Sequence, residues 1–161
     1  MRNRIEALLL AIVLVFVPCI RSDAQDDILD IPVEVQQACE KYGELYGICP
    51  ELLETMAYYE SRYIPTVENG SCKGLLQINT KWHKDRMKKL GVTDIYDIDS
   101  NVLVAADYLA ELFDQYEDIG IVLGVYHGEK DAVKRAKNNN LSSYTTLIID
   151  KSAELERAHQ K

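Results

Sequence analysis

From Val33 onward, apolar residues recur at helical spacing. Val35, Ala38, Cys39, Tyr42 and Leu45 fall on one face, which predicts a first helix. Pro32 suits its opening, because a first-turn proline loses no hydrogen bond that the helix needs, and Gly47 suits its end. A second helix is expected from Pro50 to about Arg62, stopped ahead of Pro65. Residues 68–73 read as a turn-rich loop, and the apolar run 75–78 suits a small strand or hairpin. Residues 81–90 suit a short basic helix. Ser100 is placed to cap a long helix whose stripe is Val102, Ala105, Ala106, Leu109, Leu112, Phe113 and Tyr116. Residues 119–126 are almost wholly apolar and predict a buried central helix halted at Gly128. Two more helices are expected over 130–137 and 144–159, separated by three asparagines at 138–140. Neither an internal repeat nor a low-complexity tract interrupts this pattern. The fold class is therefore one mostly α domain, α+β in detail, with a small β-hairpin or loop element beside the second helix.

One polar residue breaks the pattern. On a wheel of about 100° per residue, Leu52, Leu53, Met56, Ala57 and Tyr59 occupy an arc of roughly 160°. Glu51 and Glu54 point away from it, as solvated carboxylates should. Glu60 falls about 40° from Met56, inside the apolar stripe. A carboxyl pushed towards an apolar environment resists ionisation, and such a group is poised as a general acid near neutral pH.

Composition narrows the setting. Arg2 and Arg4 precede an apolar run over residues 7–17, and Ser22-Asp23-Ala24 stands where a signal peptidase would read. Residues 1–24 are thus expected to be a secretory signal peptide, 25–32 a short acidic linker, and 33–161 the domain, placed outside the cytoplasm or in the cell envelope. The apolar run is shorter than the about 20 residues a spanning helix needs; an uncleaved anchor is the alternative. Pro18 before Cys19 fits a lipoprotein signal poorly. The chain carries a formal charge of −8, and removing the slightly basic leader makes the rest more acidic still. That argues against nucleic acid or anionic membrane as a partner. Export would leave Cys39, Cys49 and Cys72 in an oxidising space, so one disulfide and one free thiol are expected. Antiparallel first helices would favour Cys39–Cys72. No cysteine or histidine spacing fits a metal site, and no cofactor is expected.

Three segments in order carry a resemblance. Glu60-Ser61-Arg62-Tyr63-Ile64-Pro65 is followed by Gly70-Ser71-Cys72-Lys73-Gly74-Leu75-Leu76-Gln77-Ile78, and later by Val125-Tyr126-His127-Gly128. Together they resemble the soluble lytic transglycosylase domain family, relatives of goose-type lysozyme, along nearly all of the chain after residue 33. Leu76 stands where the family usually has methionine, a volume-conserving exchange, and His127 where it usually has asparagine. The resemblance implies a lysozyme-like fold and peptidoglycan glycan strands as substrate. It also implies a monomer with one catalytic glutamate, Glu60. That residue would protonate the leaving glycosidic oxygen and then take a proton from the C6 hydroxyl of N-acetylmuramic acid, giving a 1,6-anhydro product. Gln77 matches the family glutamine lining the cleft, and Tyr126 the tyrosine whose hydroxyl approaches the carboxylate. Asn79, two residues beyond Gln77 and on the same side of an extended segment, is placed to meet an acetamido group. His127 joins this binding set, and Ser61 either joins it or braces the helix end. Trp82 is a candidate sugar platform, whereas Tyr58, Tyr59 and Tyr108 suit core or cleft wall.

Glycoside hydrolysis with water usually needs a second carboxylate. Glu68 and the Asp94, Asp97 and Asp99 cluster are the only candidates the loops offer, and both read as exposed. A true lysozyme is the rival function. A non-catalytic glycan-binding subunit of a secretion or conjugation machine is the rival from another class.

Overall fold

The computed structural model describes residues 30–160. The expected signal peptide and residues 25–29 of the linker lie outside the described residues. Helix α1 (Val33–Tyr46) ends at Gly47, whose φ of 67° lets its N–H return to the Gly43 carbonyl. Helix α2 (Pro50–Ser61) ends as Arg62 enters the left-handed region. Both bounds follow the sequence expectation.

The surroundings of α2 do not. Leu52, Leu53, Glu54, Thr55, Met56, Ala57 and Tyr58 are all buried, because α1 packs on one side and the C-terminal helix on another. Glu54, expected in solvent, is 1% exposed. Glu51 is largely covered as well; its carboxylate accepts from the Cys49 thiol and meets His159 Nδ1 at 2.9 Å.

After α2 comes a small antiparallel sheet of β1 (Glu68–Asn69), β2 (Cys72–Lys73) and β3 (Ile78–Asn79), in that order. Glu68 pairs with Lys73 and Cys72 with Asn79. The expected loop is therefore a hairpin turning at Gly70, where φ is 60°. Of the apolar run 75–78, expected as a small strand or hairpin, Ile78 opens β3, while residues 74–77 form a tight turn that buries Leu75 and Leu76 completely. Its shape comes from Asn101, itself fully buried. The Asn101 amide accepts from Leu76 N at 2.8 Å and donates to the carbonyls of Ile95 and Lys73 at 2.8 and 3.1 Å. Gly74, with φ 79°, is required beneath it, since a Cβ there would lie 2.1 Å from Asn101 Nδ2.

Helix α3 (Lys84–Lys89) leads to α4 (Ile98–Gln115). Asp97, not Ser100, caps α4: its carboxylate accepts from Ser100 N at 2.9 Å. Val102, Ala105, Ala106, Leu109 and Leu112 form the buried face of α4, which packs on α1 and on α5 (Ile119–Tyr126). Asp118 caps α5, and Gly124 admits Ala132 of α6 (Ala132–Lys137) at close range. Helix α7 (Ser143–His159), capped by Ser142, returns across α2 and α5.

The expected Cys39–Cys72 bridge is not formed. Cys39 is buried in the core, Cys72 is half-buried on β2, and Cys49 is exposed; all three are free thiols. Among the described residues no helix is long and apolar enough to cross a membrane.

Candidate active site

Glu60 lies in the last turn of α2, where the helix leaves the core. Its side chain is 14% exposed, so it is desolvated yet open to an approaching ligand, unlike Glu54 six residues earlier. Two groups from distant parts of the chain meet it. The Tyr144 hydroxyl, on α7, donates to Glu60 Oε1 at 2.6 Å. The His127 imidazole, at the end of α5, places Nδ1 3.8 Å from the same oxygen. The His127 and Tyr144 rings stack, with centroids 3.7 Å apart and planes 13° from parallel. That stacking fixes the imidazole beside the carboxylate.

These contacts set the protonation of the partners. The Glu60 carboxylate raises the His127 pKa above the ordinary imidazole value, against a smaller lowering from burial, and the charge of Glu129 adds to the rise. Burial, with Glu60 nearby, pushes the Tyr144 phenol far up. Tyr144 therefore stays a neutral donor at any working pH.

A cleft of about 270 Å³ adjoins the carboxylate through His127. One wall is formed by Cys72, Gln77, Ile78 and Asn79, and the facing wall by Tyr108, Tyr126, His127 and Gly128. Trp82 and His83 line its end, with Trp82 77% exposed. His83 sits 4.3 Å from Tyr108, ring to ring, and Tyr108 5.5 Å from Tyr126. Such flat apolar faces beside a few polar groups suit a ligand with both apolar and hydroxylated surfaces. Burial and the Arg86 charge hold the His83 pKa below its usual value.

Six of the residues singled out from the sequence thus line the cleft: Gln77, Asn79, Trp82, Tyr108, Tyr126 and His127. Tyr126 and Gln77 also hold the turn beside the cleft in shape. Tyr126 does not hydrogen-bond Glu60; its hydroxyl donates to the Leu76 carbonyl at 2.8 Å and ties α5 to the turn. The hydroxyl on the carboxylate is that of Tyr144, 84 residues from Glu60 along the chain. Gln77 holds the turn from inside, with Nε2 donating to the carbonyls of Val67 and Gly74 at 3.1 and 2.9 Å. The Asn79 side-chain oxygen Oδ1 accepts from Lys81 N and Trp82 N, which leaves its NH2 group to act on a ligand. Ser61 lies outside the cleft: it is 5% exposed and its hydroxyl donates to Ala57 O.

The acidic candidates for a second carboxylate are engaged elsewhere. Glu68 pairs with Lys73 and accepts from Tyr96. Asp97 caps α4, Asp94 accepts from Tyr96 N, and Asp99 binds Lys41 and Tyr42. One carboxylate was missed, one residue past the last motif. Glu129 is close enough to perturb both His127 and Tyr144. Its Oε2 lies 3.9 Å from Arg135 Nε, and its Oε1 is buried without a hydrogen bond. Among the described residues, no group of His, Cys, Asp and Glu is arranged to hold a metal ion.

A mostly helical α+β domain with a three-stranded antiparallel sheet and an aromatic cleft is lysozyme-like in architecture. The chain belongs to the Transglycosylase SLT domain family, which matches residues 37–149. It is 28% identical over 81 residues to a membrane-bound lytic murein transglycosylase F of Desulfosudis oleivorans, covering 50% of this chain and 17% of that protein. It is 33% identical over 84 residues to a transglycosylase of Enterobacteria phage PRD1, covering 52% of this chain and 30% of that one. The matches therefore span about half of this chain and less than a third of either relative. No solved structure matches the chain.

Proposed function

We propose that this domain is a peptidoglycan lytic transglycosylase in which Glu60 is the general acid and the final proton acceptor. The observation that carries the reading is the setting of Glu60: a largely covered carboxyl that accepts from the Tyr144 hydroxyl and lies 3.8 Å from His127, which lines a cleft with no acid of its own. Glu60 protonates the glycosidic oxygen as the bond to the muramic-acid C1 breaks. The C6 hydroxyl of the same sugar closes on C1, and its proton returns to Glu60. Intramolecular attack needs no held water, because the nucleophile is already in place. The names of the two relatives agree with this chemistry. Residues 1–24 are read as a secretion signal that delivers the domain to its substrate.

One observation favours hydrolysis instead, namely the closeness of Glu129 to His127 and Tyr144. Against it, the Glu129 carboxylate lies 3.9 Å from the Arg135 guanidinium, which engages it away from the ring. Clearing of purified sacculi by the wild type and by Glu60→Gln tests the assignment of Glu60. Loss of at least about 10²-fold is expected for removing the acid–base group, and a variant within tenfold of wild type contradicts it.

A further inference from the structure

The reaction proposed above asks one carboxyl to release a proton on one side of the sugar and collect another from the C6 hydroxyl. Beside Glu60 stands a second proton carrier. His127 lines the cleft with its side chain 44% exposed, and Nδ1 faces Glu60 Oε1 at 3.8 Å. Nδ1 and Nε2 lie on opposite edges of an imidazole, so a ring presenting Nδ1 to the carboxylate turns Nε2 away from it. Tyr144 stacks on the ring and holds its plane.

We propose that His127 is a catalytic proton relay, taking the proton of the attacking C6 hydroxyl at Nε2 and passing the Nδ1 proton to Glu60. The inference rests on the transglycosylase reading. The bookkeeping of atoms closes. The C1–O bond to the leaving sugar breaks, and that oxygen takes the Glu60 proton. The C6 oxygen bonds to C1 and releases its proton to His127 Nε2, while the Nδ1 proton restores the Glu60 carboxyl. The ring regains its first tautomer by exchange with solvent, to which its exposed edge is open.

The charges around the ring support this role. Transient imidazolium faces Glu60 on α2 and lies within the field of Glu129, just beyond α5. Arg135 of α6 stands behind Glu129 at 3.9 Å. From α7 the ring stacks on the neutral Tyr144, and Cys72 of β2 shares the cleft lining. Two carboxylates therefore stabilise the cation that the relay forms. The 3.8 Å gap is longer than a working hydrogen bond of about 2.6–3.2 Å, and such contacts commonly tighten when substrate closes a site.

The test is kinetic, on soluble peptidoglycan fragments, with wild type, His127→Asn and His127→Ala. A relay predicts a loss of about 10²-fold in kcat for both variants, with the melting temperature retained because the position is half-exposed. It also predicts that the acid limb of the wild-type pH profile disappears, and that added imidazole restores much of the rate to His127→Ala but not to wild type. Glu129→Gln should move that acid limb to lower pH, since the imidazolium loses a stabilising charge. Variants within threefold of wild type, with the acid limb intact, overturn the relay while anhydro products from wild type leave the parent reading standing. A rate loss with no imidazole rescue and an unchanged pH profile reduces His127 to a packing role and also overturns it. Wild-type products with reducing ends overturn both.

Discussion

Two glutamates on one helix show what a buried carboxyl needs before it can do chemistry. Glu54 and Glu60 stand six residues apart on α2, and both are held largely away from water. At Glu54, burial pushes the carboxyl pKa up to about 7, with the His159 charge pulling it back. Its Oε2 makes no hydrogen bond, and it is buried on α2 where α1 and α7 pack. Glu60 has a phenol donating to it, an imidazole beside it and an open cleft next to that imidazole. Desolvation alone gives a carboxyl a high proton affinity. Access and fixed partners are what let a carboxyl exchange its proton with a ligand.

The same substitution at the two positions should therefore have opposite consequences. Glu60→Gln should abolish clearing by at least about 10²-fold with the fold unchanged, because the amide oxygen still accepts from Tyr144. Glu54→Gln should leave activity within twofold of wild type. If Glu54→Gln silences the enzyme and Glu60→Gln does not, the assignment of the two residues is reversed.

Tyr144→Phe comes next in size. It keeps the ring stacked on His127 and removes only the hydroxyl at 2.6 Å from Glu60. A hydrogen bond to a charged group is worth about 1.5–3 kcal/mol, so kcat should fall roughly 10–100-fold with little change in KM. An unaltered kcat would show that the hydroxyl does not position the acid.

Glu54 should speak through stability. Its folded pKa, about 7, lies above the ordinary 4.5, so the folded state binds the proton more tightly than the unfolded one. The contribution is fully present below pH 4.5 and is lost as pH rises towards 7. Glu54→Gln removes this penalty and should gain about 1–2 kcal/mol at pH 8, with the gain fading near pH 4.5. Denaturant melts of both proteins at the two pH values check this. A pH-independent difference would mean that Glu54 does not titrate in this range.

What could be read from the chain follows the same division. Helix periodicity located α1, α2 and α4 to α7 within a few residues, because each carries an apolar stripe or a run of its own. Glu60 was found because it interrupts such a stripe. The wheel failed for Glu54, since it describes one helix at a time and cannot show that α1 and α7 cover two sides of α2. Tyr144 opens an amphipathic helix and carries no signal of its own in the sequence; only the return of α7 across α2 brings it to Glu60. Asn101 had no local signal either, being one polar residue near the start of α4. Its three hydrogen bonds shape the turn that places Gln77, in a run expected as a small strand or hairpin.

The central claim is that Glu60 works without a water-activating base and that the attacking oxygen belongs to the substrate. Digestion of peptidoglycan in ¹⁸O-water, followed by mass spectrometry of the muropeptides, tests it most directly. The account predicts muramyl products one water lighter than those of a lysozyme, with no reducing muramic end and no incorporated label. Products that carry ¹⁸O at a reducing end would contradict it, and would make Glu129 the first residue to examine as a base.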